Sequence, residues 1–422
     1  MMLSSQTDRR LIRAAASSTR YVLARITAPR ASAREARIPV NVGMVLDRSG
    51  SMADERKFAL ALQAVEQSLR MLRPEDRFAL VVYDTEIDVL MPSTHATSQV
   101  KRRAMEALRD VGPRGGTDLG SGWLRGCEQV AQFLDDERLS RCLLLTDGLA
   151  NRGLTDRDEL ALHAGELRQR GVSTSTFGVG TDFDERLLRD MAHDGGGNFY
   201  FVQDASQIPD VVTGELGEAL EVTLRNAALI MMLPPGATAS PLNRFRHTLL
   251  AEGHSLRIDV GDLVSAQELD VVVRIAFPPG QMGAETLAAF TLESSGAVIA
   301  GSECRQSWTY ATHHDNDVQP RNREVDHVVA ELQAAQARAE ATEANREGRY
   351  EHARHVLEAA ARRVSEYAGD DRELHDLAQG LREQVRDYAE RVMSAGELKA
   401  SLFVAESSAK ARDSAGRARR GA

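Results

Sequence analysis

The chain changes its hydrophobic period twice, and each change predicts a different kind of structure. In residues 39–213, continuous apolar runs alternate with stretches whose apolar residues recur every three or four positions. Strands are read near 42–46, 78–83, 142–146, 172–179 and 199–202, most of them as such runs. Unbroken apolar runs of this length predict strands covered on both faces. A shorter run at 87–90 predicts an edge strand. Phe58, Leu62, Val65, Leu69 and Leu72 share one face of a helix that should begin near Glu55 and end before Pro74. Further helices are expected near 100–111, 119–134, 156–170 and 184–192. Strands alternating with helices predict an α/β fold, a doubly wound and mostly parallel sheet.

In residues 214–312 the period becomes two. Leu269, Val271, Val273, Ile275 and Phe277 alternate along one strand, as do Leu256, Ile258 and Val260, and Leu220, Val222 and Leu224. Pro234-Pro235-Gly236 and Pro278-Pro279-Gly280 punctuate them, which predicts an antiparallel β-sandwich domain. The N-terminal segment, 1–38, holds one strand near 20–27. Its partners must come from elsewhere in the chain. If it joins the sandwich, the α/β domain is an insertion. Residues 313–404 return to helical spacing, with Tyr350, Ala353, Leu357, Ala360, Val364 and Tyr367 on one seam. Leu374, Leu377, Leu381, Val385, Tyr388 and Val392 form a second seam, which predicts two or three antiparallel helices. Residues 405–422 are small, polar and mildly basic, and are expected to form a disordered tail.

Composition narrows the class. Of 422 residues, 42% are hydrophobic, enough to build cores. A net charge of −10 argues against nucleic acid as the main partner. The three cysteines, Cys127, Cys142 and Cys304, imply no disulfide framework, and Cys142 reads as a small buried hydrophobe. No apolar run of signal-peptide or membrane-spanning length occurs, so a cytoplasmic location without a membrane span is expected.

The candidate chemistry sits where the first buried strand ends, at Asp47-Arg48-Ser49-Gly50-Ser51. An acid and two hydroxyls at alternate positions on a strand-to-helix turn form a compact oxygen-rich site. Hard divalent cations bind such oxygens, and Mg²⁺ suits a site with few protein ligands. In a doubly wound sheet, ligands bind beyond the carboxyl ends of the strands where their order reverses. With the order 3-2-1-4-5-6, the strand ending at Asp47 and the one ending at Asp147-Gly148 flank that crevice. The turn Arg114-Gly115-Gly116-Thr117-Asp118 offers a further hydroxyl.

Asp47-x-Ser49-x-Ser51, Thr117 and Asp147 together resemble the metal-ion-dependent adhesion site of von Willebrand factor type A domains. The resemblance covers about 40–212 and extends to Gly115-Gly116-Thr117, Leu144-Leu145-Thr146-Asp147-Gly148 and Gly178-Val179-Gly180. It implies that Ser49 and Ser51 ligate Mg²⁺ directly, that Thr117 does so when a ligand is bound, and that Asp47 and Asp147 act mostly through water. Mn²⁺ and Ca²⁺ are the alternative ions. A cation so ligated stays under-neutralised and accepts an acidic side chain from a partner protein. The wider layout resembles bacterial relatives of inter-alpha-trypsin inhibitor heavy chains and of calcium-activated chloride channel homologues. Proteins with type A domains often work with AAA+ ATPases, which makes such an ATPase a candidate partner.

Other features have plainer readings. Asp118 reads either as an acid behind the metal ligands or as a helix N-cap, and the Asp182/Asp184 pair as the start of a helix. His313-His314-Asp315 reads as part of a polar linker, and His352 and His355 as surface residues. No phosphate loop, nucleophile elbow or cysteine zinc pair occurs. The expected function is a non-enzymatic, divalent-metal-dependent protein-binding module. The enzymatic alternative is a Mg²⁺-dependent phosphotransferase of haloacid-dehalogenase type, which wants a second acid where Ser49 stands. A third reading is a structural scaffold that binds through its C-terminal helices.

Overall fold

The computed structural model describes residues 2–31, 37–250 and 253–421. The remaining parts of the expected N-terminal segment and C-terminal tail lie outside the described residues. The chain forms two compact units, one of 1–32, 222–394 and 404–422, the other of 33–221 and 395–403.

In chain order the first strands are β1 (Leu3–Thr7), β2 (Leu11–Arg13) and β3 (Ser18–Thr27). The chain then enters the α/β unit with β4 (Val40–Asp47) and a 3₁₀ turn at Gly50–Arg56. There follow α1 (Lys57–Met71), β5 (Arg77–Tyr83), β6 (Ile87–His95), α2 (Ser98–Arg109) and α3 (Leu119–Ala131). β7 (Leu139–Thr146), α4 (Arg157–Gln169), β8 (Val172–Val179), α5 (Glu185–Asp194), β9 (Gly196–Val202) and α6 (Ile208–Leu220) complete the run. The sheet order is β6-β5-β4-β7-β8-β9. All pairs are parallel except β5–β6, which is antiparallel and places β6 at an edge. The order therefore reverses between β4 and β7, the two strands that carry the expected carboxylates.

β4 and β7 are buried at every position, which explains their unbroken apolar character. α3 lies close against the sheet because it carries glycines on its inner face. A side chain at Gly122 would sit 2.4 Å from Cγ of Tyr83, and one at Gly126 would sit 2.1 Å from Cγ2 of Val45. α1 starts later than its hydrophobic spacing suggests. Residues 50–56 wind as a 3₁₀ turn, and Arg56 takes a left-handed conformation with φ 60° before the α-helix begins at Lys57. The same unit includes residues 395–403, whose Phe403 meets the ring of Phe199 edge-on at 6.2 Å.

The other unit resumes with β10 (Val222–Met232), β11 (Thr238–Pro241), β12 (Arg246–Leu250) and β13 (Ser255–Val264). β14 (Glu268–Phe277), β15 (Glu285–Ser294) and β16 (Ala297–Ala311) follow. One sheet runs β1-β3-β14-β11, the other β12-β13-β10-β15-β16-β2. All pairs are antiparallel except β2–β16. β3 pairs with β14 along its full length, from Ser18 opposite Phe277 to Thr27 opposite Glu268. The α/β domain is thus inserted between two strands of the sandwich. The core between the sheets includes Val22, Ile26, Leu229, Ile258, Ile275, Phe290 and Trp308. β1 and β2 escape a reading by periodicity, because each is short and only its end or central residues are buried.

Helices α7 (His313–Val318), α8 (Arg323–Arg346), α9 (Tyr350–Ala368), α10 (Arg372–Ala389) and α11 (Ala395–Ala409) end the chain. Val325, Val329 and Leu332 of α8 pack with Leu23 of β3 and Val272 of β14. Two expectations are corrected here. His313-His314-Asp315 is the first turn of α7 rather than linker, with the Thr312 hydroxyl accepting from the Asp315 backbone N–H. The stretch expected to be a disordered tail is ordered as far as it is described. α11 runs to Ala409, Ala411 lies in the sandwich core, the Glu268 N–H donates to Arg419 O at 2.9 Å, and the Gly421 N–H donates to Ala266 O at 3.2 Å. These tail contacts are largely made by backbone, so small polar side chains do not advertise them.

Candidate metal centre

The site grows from the ends of β4 and β7. Asp47 is the last residue of β4 and is fully buried. Its Oδ1 accepts the Ser49 backbone N–H at 2.7 Å, which bends the chain so that alternate side chains point the same way. The Ser49 and Ser51 hydroxyls accordingly lie 3.1 Å apart. Asp147 follows the last residue of β7, and its Oδ1 accepts the Ser51 hydroxyl at 2.7 Å. Residues ninety-six positions apart in the chain are therefore in direct contact.

The turn before α3 comes to the same place. The Gly50 N–H donates to Gly115 O at 3.2 Å, and the Arg114 N–H donates to Arg48 O at 2.7 Å. Gly115 has φ +70°, and a side chain there would sit 3.1 Å from the Thr85 hydroxyl, so glycine suits both the conformation and the space. Asp84 ties these loops from below. It pairs with Arg48 at 2.9 Å and with Arg114 at 2.7 Å. Thr117 is buried, its N–H donating to Asn151 Oδ1 at 3.1 Å. A Cβ on Gly148 would lie 3.4 Å from the Thr117 hydroxyl and 3.7 Å from the Ser51 hydroxyl. The missing side chain of Gly148 thus leaves a small space edged by hydroxyls from two separate loops.

All five expected residues, Asp47, Ser49, Ser51, Thr117 and Asp147, meet in this crevice. Asp118 does not join them as a ligand. Its carboxylate accepts the Ser121 N–H at 3.1 Å and caps α3. Asp184 likewise caps α5. Among the described residues, no three His, Cys, Asp or Glu side chains gather as a metal cluster. The centre is a different kind of donor set, with two carboxylates and three hydroxyls, and suits a hard cation by its oxygens.

Electrostatics distinguish the two carboxylates. Burial pushes the Asp47 carboxyl up, to about 6, against the hydrogen bonds from Thr146 and Ser49. The Thr146 hydroxyl donates to Asp47 Oδ2 at 2.6 Å. Asp147 has a cationic neighbour instead, with Lys57 Nζ donating to its Oδ2 at 2.9 Å.

Lys57 and Thr146 are the site residues that motif reasoning misses. Thr146 closes an apolar strand and reads as its last core residue. Lys57 carries one usable signal, because a cation in the first turn of a helix opposes the helix dipole and needs a local reason.

The family profile of the von Willebrand factor type A domain matches residues 41–214. A solved structure of a von Willebrand factor type A protein from Catenulispora acidiphila has the same fold, with a TM-score of 0.74 at 18% identity, covering 96% of each chain. Uncharacterized protein YfbK of Escherichia coli is 24% identical over 56% of this chain and 41% of its own length. Human inter-alpha-trypsin inhibitor heavy chain H4 is 30% identical over 38% of this chain and 18% of its own. The chain therefore spans less than half the length of either of these relatives.

Proposed function

With residues 41–214 forming a von Willebrand factor type A domain, we propose that the chain is a non-enzymatic module that binds a protein partner through a divalent cation. Asp47, Ser49, Ser51, Thr117 and Asp147 hold the ion, and a carboxylate of the partner completes its coordination. The observation that carries this reading is the Ser51 hydroxyl, within 2.7 Å of Asp147 Oδ1 and 3.1 Å of the Ser49 hydroxyl. Helix capping does not require those groups to meet, whereas a shared cation does.

The bound ion supplies positive charge for an incoming carboxylate. The chain's own residues do the rest. Thr146 and the Ser49 N–H hold the Asp47 carboxylate from behind, and the serines present hydroxyls in front. Neutral hydroxyls near the ion leave its charge available to the partner. Mg²⁺ is the ion proposed, and an AAA+ ATPase with an exposed acidic loop is one class of partner to test. Position 49 carries a hydroxyl where a phosphotransferase of haloacid-dehalogenase type needs its acid, so binding is favoured over turnover.

The test is a calorimetric titration of Mg²⁺ and Mn²⁺ into the wild-type chain, Asp47→Ala and Ser49→Ala/Ser51→Ala. Partner capture with and without EDTA runs beside it. Saturable binding that each substitution abolishes, and capture that follows it, is the expected result. A wild-type chain that takes up neither ion, or capture indifferent to EDTA and to Asp47, overturns the reading.

A further inference from the structure

Lys57 is placed where a lysine is costly. Its side chain is only 9% exposed, and it is the first residue of α1, at the positive end of the helix dipole. Its ammonium lies 2.9 Å from Oδ2 of a fully buried Asp147. The other oxygen of that carboxylate accepts the Ser51 hydroxyl. One carboxylate thus has a cation on one side and a hydroxyl of the metal centre on the other. Gly180, whose φ is +71°, packs beside the ammonium; a Cβ there would sit 3.5 Å from Nζ, an ordinary contact.

A buried ion pair is a poor device for stability alone, since an apolar pair of the same volume often serves as well. Its effect on charge at the centre is definite. Asp47 and Asp147 without Lys57 would cancel a divalent ion. With the ammonium present, the centre and its ion carry one excess positive charge.

We propose that Lys57 is a specificity-determining residue of the metal centre. It weakens the hold on the cation and, by preserving excess positive charge, strengthens the hold on a partner's carboxylate. The inference rests on the proposed metal site and assigns to this chain a preference for anionic over neutral partner groups. The ammonium acts through Asp147 and makes no contact with the partner, so it is a positioning group of fixed charge rather than a ligand.

The experiment uses the full chain with Mn²⁺ as the probe ion, free Mn²⁺ being read by electron paramagnetic resonance, and acetate as the probe carboxylate. Wild type, Lys57→Met, Lys57→Arg and Asp47→Asn are compared, with circular dichroism as the control for folding. Lys57→Met is expected to bind Mn²⁺ about tenfold more tightly, since a neighbouring unit charge has been removed. Lys57→Arg should stay near the wild type. Acetate should enhance Mn²⁺ retention by the wild type and do so less in Lys57→Met. If Lys57→Met does not fold, Lys57→Gln makes the same comparison with a polar neutral side chain. Unchanged or weaker Mn²⁺ binding in a folded neutral variant overturns the role of Lys57 and leaves the site intact, provided Asp47→Asn has lost binding. A wild type that binds no Mn²⁺, or an Asp47→Asn that binds as well as wild type, overturns the metal site and this inference with it.

Discussion

The Thr146 hydroxyl donates to Oδ2 of Asp47 at 2.6 Å, a side-chain bond between the ends of adjacent parallel strands. With Oδ1 engaged by the Ser49 N–H, both oxygens of Asp47 are held from the protein side. Thr146→Val keeps the shape and removes the donor, leaving a buried carboxylate oxygen unpaired. Urea denaturation of metal-free protein should show a loss of about 1–3 kcal/mol. Thr146→Ser, which keeps the hydroxyl, should lose less. Equal stability of Thr146→Val and wild type would show that this bond does not hold the carboxylate.

Burial first, and the neighbouring Asp147 charge after it, make the Asp47 carboxylate unfavourable in the absence of a cation, which is why its pKa rises to about 6. Asp47→Asn removes that charge while retaining an acceptor for the Ser49 N–H. In EDTA at neutral pH the variant should melt no lower than wild type. With millimolar Mg²⁺ the order should reverse, because only the wild type gains the stabilisation that ligand binding confers. Differential scanning calorimetry in both buffers checks this, and parallel Mg²⁺ shifts in the two proteins would contradict it.

Gly122 belongs to the packing rather than to the ion. A Cβ there would lie 2.4 Å from Cγ of Tyr83, which is wholly buried on β5. Neither the central sheet nor an enclosed ring yields easily. Gly122→Ala should therefore destabilise the chain by about 1–3 kcal/mol, as overpacking does, even though alanine favours helices. Chemical denaturation of purified protein decides the sign.

Asp371, in the unit that does not carry the candidate metal centre, offers a pH dependence of its own. The hydrogen bond from His327 is the main cause that holds its carboxyl below the usual range, against the opposing effect of burial and with help from the backbone N–H groups of Leu374 and Glu373. A folded-state pKa below the unfolded one gives stability that is present above pH about 4 and lost as pH falls through the depressed value. Asp371→Ala should thus melt below wild type at pH 7, with the gap closing toward pH 3. A gap that is constant over this range would rule out ionisation as its source.

How much of the fold and the site is legible in the sequence depends on where each residue's role resides. β4, β5 and β7 are buried along nearly their whole length, so their apolar runs state the sheet directly. Asp47 closes such a run, Ser49 and Ser51 follow it, and Thr117 and Asp147 stand beside glycines, so the candidate site is proposed from local words. Lys57 is not, because one charged residue at a helix start ordinarily faces solvent. Nor are β1 and β2, whose pairing depends on β3 and β16 rather than on their own pattern. The ordered C-terminal stretch escapes for a related reason, since the Glu268–Arg419 and Ala266–Gly421 bonds are made by backbone atoms that composition does not reveal.

The insertion of one domain between β3 and the rest of the sandwich sets an order of events at the ribosome. Arg25 on β3 meets its ionic partner Asp270 only after 245 further positions have been made. All six strands of the α/β sheet have been made well before that and can pair while the edge of β3 that faces β14 waits open, its other edge already able to pair with β1. A strand that waits with an exposed edge is open to wrong partners. The interval between β3 and β14 is thereby the stretch of synthesis in which this strand edge has no partner from its own sheet, a delay of which the finished state keeps no trace.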